Sequence, residues 1–76
     1  MKGVKYNLVM KLPNNETLIR NAIKMKELVE LCNEAFKTKY QMESLKITNQ
    51  SIYNIIKRPR MCSKIYKDLL KVERLV

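Results

Sequence analysis

Residues 4–16 of the chain are VKYNLVMKLPNNE, and this stretch decides the first element of the fold. Apolar and polar side chains alternate from Val4 to Leu12, which is the period-two pattern of a half-buried β-strand. Pro13 presets its own φ, and the asparagines after it tolerate left-handed backbone, so a turn should follow. With a second strand expected over Thr17–Ile23, the sequence predicts an N-terminal β-hairpin.

The next stretch has the spacing of an amphipathic helix. Its apolar stripe consists of Met25, Leu28, Val29, Leu31, Cys32, Ala35 and Phe36. Its polar side consists of Lys26, Glu27, Glu30, Asn33, Glu34 and Lys37. Carboxylates in the first turns also favour the positive end of the helix dipole. We therefore predict a helix over residues 25–37, which continues for about one more turn and then becomes a loop up to residue 46.

The window from Ser44 to Lys67 contains no Asp or Glu. Its cations are Lys46, Lys57, Arg58, Arg60, Lys64 and Lys67. The whole chain has 76 residues, a net charge of +9 and a pI near 9.8, while three of its carboxylates cluster at Glu27, Glu30 and Glu34. This uneven distribution indicates one basic face and favours anionic partners: nucleic acid, an anionic membrane surface or an acidic protein.

A second helix is expected inside this window. Its apolar side consists of Ile52, Ile55 and Ile56. Thr48 is the expected N-cap, because its hydroxyl can accept a bond from a first-turn amide. Pro59 disfavours helical geometry in the residue before it, so the helix should end near Lys57.

The C-terminal segment has features of both helix and strand. We expect a helical turn or an irregular link over 63–68 and a strand over about 69–75, which would add the third strand that an isolated hairpin needs. The predicted fold is one α+β domain over residues 1–76: an N-terminal β-hairpin, a two-helix helix-turn-helix-like unit, and a C-terminal short strand or helix.

Catalysis has little support in the composition. The chain has no histidine, and its single glycine, Gly3, cannot form a phosphate-binding glycine loop. Cys32 and Cys62 lie far apart and lack a histidine partner, so we expect two free thiols. The sequence thus predicts a protein that is not an enzyme and has no cofactor and no metal site.

No stretch approaches the roughly 18 apolar residues of a membrane span. The apolar run Leu8-Val9-Met10 is broken by Lys11 and Pro13, so we expect no secretory signal and no membrane partner. Lysine outnumbers arginine, and Ile and Asn are abundant, as in the proteins of low-GC bacteria and their phages. The expected location is the cytoplasm of a bacterial host.

Two consecutive helices, the second with a polar start, form a helix-turn-helix candidate. In such units the second helix enters the major groove, where Asn and Gln can bond adenine and Lys or Arg can reach phosphates. The candidate nucleic-acid-binding residues are Thr48, Asn49, Gln50, Ser51, Tyr53, Asn54, Lys57, Arg58, Arg60 and Lys64. A solvated basic face on a capped helix is the alternative interpretation.

This order of parts resembles the small modular DNA-binding domains found beside homing endonucleases. The matching segments are Tyr6 to Ile23, Met25 to Phe36, Ile47 to Arg60 and Lys64 to Leu75. The resemblance implies that Asn49, Gln50, Tyr53, Asn54 and Arg60 face DNA. About eleven residues separate Phe36 from Thr48, where a helix-turn-helix has about three or four. Either a longer first helix or an inserted loop must fill this gap.

The expected function is a small DNA-binding regulator of a phage or mobile element, with duplex DNA as its partner. Reading a palindrome would need a homodimer, to which the apolar end Leu75-Val76 could contribute. One alternative is a host-takeover or anti-defence inhibitor that binds an acidic protein or nucleoprotein complex. The other is an RNA-binding module, in which Tyr6, Tyr40, Tyr53 and Tyr66 would stack on bases, although partly buried core positions suit these tyrosines better.

Overall fold

The structure is a computed structural model that describes residues 3–75. The strands are β1 (Lys5–Lys11), β2 (Thr17–Ile23) and β3 (Leu70–Leu75). The helices are α1 (Met25–Thr38), α2 (Asn49–Lys57) and α3 (Lys64–Leu69). Short 3₁₀ turns occupy Pro13–Asn15 and Pro59–Met61. The predicted α+β fold is confirmed, with its N-terminal hairpin, its central helices and a C-terminal strand.

The three strands form one antiparallel sheet in the order β2-β1-β3. The predicted third strand therefore pairs with the hairpin, along β1. In the hairpin turn, Asn14 and Asn15 have φ values of 65° and 64°, which asparagine tolerates better than most residues. The Leu12 amide donates to the Glu16 carbonyl at 2.8 Å and closes the turn.

A β-bulge interrupts the hairpin where the register shifts between Tyr6 and Leu8. On the opposite strand, Ala22 has a φ of 56°, in the left-handed region. Its amide donates to the Asn7 side-chain oxygen at 3.0 Å, which replaces the lost ladder bond. The bulge allows Ile23, the last residue of β2, to be buried before α1 begins.

The helices cover one side of the sheet, and the core lies between them. Its buried members are Leu8, Met10, Ile23, Leu28, Cys32, Ala35, Phe36, Ile47, Ile52 and Leu70. Half-buried Tyr40 and Tyr66 pack their rings on Phe36, with centroids 5.8 and 5.9 Å away. Most of the tyrosines, including Tyr6, are thus partly buried against the core, as predicted.

The other side of the sheet is open. Val9 on the central strand lies in register with Ile19 on β2 and Lys71 on β3. The exposed fractions are 36% for Val9 and 54% for Ile19. Opposite residues in an antiparallel pair share a face, so these three side chains form a row across the open side.

Helix α1 extends one residue beyond the predicted 25–37, and a loop over residues 39–48 separates it from α2. The tight turn of a helix-turn-helix is therefore absent, and the inserted-loop alternative is correct. Asn33, on the polar side of α1, is half-buried because it contacts this loop. Its half-buried side chain accepts from the Ile47 amide at 2.7 Å and donates to the Ile47 carbonyl at 3.0 Å. This pair of bonds fixes the end of the loop to α1.

Helix α2 ends at Lys57 before Pro59, as predicted. All three isoleucines of its apolar side contact the core, with Ile52 fully buried and Ile55 and Ile56 half-buried. The core of so small a domain is thin. A single residue of α2 therefore points directly into it, and the neighbouring isoleucines lie at its edge. After α2, α3 and β3 match the helical turn and strand expected there. The predicted dimer contact at Val76 lies outside the described residues.

Candidate nucleic-acid interface

Helix α2 begins with a reciprocal cap that uses two of the predicted site residues. The Thr48 hydroxyl accepts from the Ser51 amide at 3.3 Å, and the Ser51 hydroxyl accepts from the Thr48 amide at 3.2 Å. Such a capping box satisfies two amides that would otherwise lack partners. Thr48 and Ser51 therefore position the helix start, and half-buried Ser51 is poorly placed for a ligand.

The outer surface of α2, here called the α2 face, consists of Asn49, Gln50, Tyr53, Asn54 and Lys57. Helical spacing places these side chains side by side along one side of α2. All are exposed except Asn54, which is half-buried. The Gln50 side-chain amide donates to the Asn54 side-chain oxygen at 3.2 Å. This bond leaves the Gln50 oxygen and the Asn54 nitrogen free, so the pair presents an acceptor and a donor to the outside.

The three remaining predicted residues lie beyond α2 and differ in their surroundings. The Arg58 guanidinium lies 5.9 Å from the centroid of the Tyr53 ring, a cation–π contact that brings it beside the α2 face. Arg60 is exposed in the 3₁₀ turn. Lys64 is on α3 and forms an ion pair with Asp68 at 3.0 Å. The carboxylate reduces the charge that Lys64 can offer to an anion.

A groove runs along one edge of α2 and contains, besides the predicted Lys57, three cations that the sequence did not suggest. Two clefts of about 700 and 240 Å³ share Tyr6 and Met25 as lining residues. Together they form what we call the side groove. Asn49 lines the larger cleft and Tyr53 the smaller one, so the α2 face forms one wall. The cations along the groove are Lys24, Lys26, Lys57 and Arg74.

Two weak signals in the sequence could have identified part of this groove. Arg74 is in phase with Leu70 and Val72, so a charge continues the row that faces the helices. Lys24 occupies the N-cap position of α1 and forms no side-chain cap there, although Ser, Thr, Asp and Asn are preferred. Both residues depart from the local pattern, and both line the groove.

Burial keeps the two cysteine thiols protonated at neutral pH. Burial raises the pKa of the Cys32 thiol to about 12, and it also raises the pKa of Cys62, against a smaller lowering effect of Lys67. Both cysteines are free. Within residues 3–75, no three Cys, Asp or Glu side chains gather where a metal ion could bind. In the same range, no helix has the length and apolar character to cross a bilayer.

Comparison of the chain with protein-family models, with curated protein sequences and with solved structures found no match.

Proposed function

We propose that this protein binds duplex DNA through the α2 face and acts as a small DNA-binding regulator of a phage or mobile element. The observation that carries the proposal is the composition of α2. Its inner side packs into the core through Ile52, while its outer side presents amide groups followed by cations and no carboxylate. Amides can bond base edges in the major groove, and cations can neutralise the phosphates beside it.

The residues around α2 support the proposal that the α2 face contacts DNA. Arg58 lies beside Tyr53, and the cations of the side groove border the same wall of the helix. If α2 lies in the major groove of DNA, the DNA phosphates beside that groove would therefore lie close to these cations. The connection from α1 is a loop instead of a tight turn, so the support for α2 comes from Ile52, the Thr48 cap and the Asn33–Ile47 bonds.

Fluorescence anisotropy with labelled duplex DNA over a range of salt concentrations tests the proposal. Log affinity against log salt should fall with a slope of about −0.9 per neutralised phosphate. Arg58→Ala or Arg60→Ala should weaken binding to all sequences and make the slope shallower by about 1. The control is Lys71→Ala, which removes a cation from the open side of the sheet and should leave the slope unchanged. A flat salt profile would exclude the proposed function, and tighter binding to an RNA hairpin would favour the RNA-binding alternative.

Base recognition needs a separate comparison on a selected target site. Asn49→Ala or Gln50→Ala should lose about 1–3 kcal/mol of preference at one base pair. If these variants, like Arg58→Ala, lose the same affinity for target and for random DNA, α2 contacts DNA without recognising its bases.

The open side of the sheet supports a second candidate, the binding of an acidic protein as an anti-defence inhibitor would do. Val9 and Ile19 are exposed there, and Lys11 and Lys71 flank them on β1 and β3. A partner with apolar groups among carboxylates would complement this surface. Purification of the protein from its host would test it: wild type should retain an acidic partner that Ile19→Lys loses, with DNA binding unchanged.

A further inference from the structure

We infer that the side groove binds an unpaired nucleotide next to the duplex held by α2. This inference rests on the proposed function, because α2 brings the nucleic acid to the groove. The partner would then be DNA with an extruded, bulged or single-stranded nucleotide beside the recognised sequence.

The floor of the groove is apolar and partly aromatic. Tyr6 and Met25 line both clefts, Val29 lines the larger and Ile56 the smaller, and all four are half-buried. Tyr53 stands at the wall with 45% of its surface exposed. A nucleobase has flat apolar faces, and every base can stack on a tyrosine ring whatever its sequence. The Arg58 guanidinium lies over one face of the Tyr53 ring, so a base would stack on the other face.

The rim of the groove is cationic. Lys24 and Lys26 border the larger cleft, while Lys57 and Arg74 border the smaller one. Glu30 also lines the larger cleft, so the positive charge is greatest on the side of Lys57 and Arg74. An apolar floor within a cationic rim matches a ligand with an aromatic centre and anionic edges, which is the chemistry of a nucleotide.

Other occupants fit the groove less well. A second copy of the chain also carries a net charge of +9, so its approach to this cationic rim costs free energy. An acidic peptide could pair with the rim but has no need of the exposed tyrosine. Asn49 adds a donor and an acceptor at the larger cleft, as reading a base edge requires.

The test compares three labelled duplexes by anisotropy: one fully paired, one with a single bulged adenosine, and one with an abasic site at the bulge. The adenosine bulge should bind about tenfold more tightly than the abasic bulge, because stacking on an aromatic ring contributes on this scale. Tyr53→Leu should remove this ratio, and Tyr53→Phe should keep it. Arg74→Gln should weaken binding to both bulged duplexes, whereas Lys71→Gln on the other side of β3 should not.

Equal affinity for the adenosine and abasic bulges would overturn the inference, and so would displacement of the adenosine-bulged duplex by polyglutamate as effectively as by an oligonucleotide. Failure of the proposed function looks different, because the fully paired duplex would then show no salt-dependent binding. In that case the same comparison is made with single-stranded DNA that either carries or lacks its bases. A base-dependent ratio that Tyr53→Leu removes would support the groove, and its absence would overturn it.

Discussion

Helices α1 and α2 are both amphipathic, but they differ in how many residues they bury and in the charge of their exposed sides. Helix α1 has 14 residues, buries Leu28, Cys32, Ala35 and Phe36, and exposes three carboxylates. Helix α2 has nine residues, buries only Ile52 and exposes no carboxylate. The longer helix supplies the core and the shorter one presents a surface. Amphipathic spacing alone therefore does not distinguish the two helices, whereas the charge of their exposed sides does.

The largest effect should come from the buried residues of either helix. Leu28→Ala in α1 and Ile52→Ala in α2 should each cost about 2–5 kcal/mol, since both side chains are fully buried. In a small domain such a loss can abolish folding. Urea denaturation measures it, with Ile55→Ala as a half-buried control that should cost less. An Ile52→Ala variant as stable as wild type would mean that α2 is not packed as described.

The next effect concerns the bonds that join the two helices. Asn33→Ala leaves the amide and carbonyl of Ile47 without their partner and should cost about 1–3 kcal/mol. Glu34→Ala, one residue further along α1 on its exposed side, should change stability by no more than about 0.5 kcal/mol. Equal melting temperatures for the two variants would show that the loop is held by packing alone.

Alkaline pH should affect stability through Cys32, the buried cysteine of α1. Its pKa is about 12 in the folded protein and near 9 when unfolded, so the unfolded chain loses its proton first. The thiol's contribution is therefore fully present below pH 9 and falls as the pH rises toward 12. Between pH 9 and 10 the loss should be about 1 kcal/mol. Denaturation of wild type and Cys32→Ala across this range should show a steeper slope for wild type.

The smallest effects should come from the starts of the helices, which are capped differently. Thr48→Ala removes the α2 cap and should cost about 1 kcal/mol. Lys24→Asp gives α1 the side-chain cap that it lacks and should gain about 0.5–1 kcal/mol. Thermal melts check both changes. If Lys24 serves the side groove, the stabilised variant should also bind DNA more weakly, and unchanged binding would separate Lys24 from the interface.

The sequence predicted the elements of this fold because each has its own local period. Alternation gave β1, the apolar stripe gave α1, and Pro59 gave the end of α2. A loop before α2 was expected, but its contacts were not predictable, since they join residues distant in sequence. Asn33 and Ile47 are 14 positions apart, and the Tyr40 hydroxyl donates to the carbonyl of Lys11, 29 positions away.

The candidate site divides in the same way. The α2 face follows from helical spacing, so Asn49, Gln50, Tyr53 and Lys57 could be grouped from the sequence alone. The side groove depends on how β3 and the start of α1 pack beside α2. Arg74 reaches it only because β3 pairs with β1 opposite Tyr6, a register that no local pattern sets.

The strand order β2-β1-β3 also affects how molecules of this protein meet one another in solution. Among residues 3–75, both outer strands have an edge that pairs with no other strand, and such edges can pair between molecules and start aggregation. The bulge at Ala22 disrupts one edge, where the Arg20 guanidinium also donates to the Ile19 carbonyl at 2.8 Å. The net charge of +9 adds long-range repulsion, which salt screens. High salt that would release a bound nucleic acid would therefore also weaken this barrier to self-association.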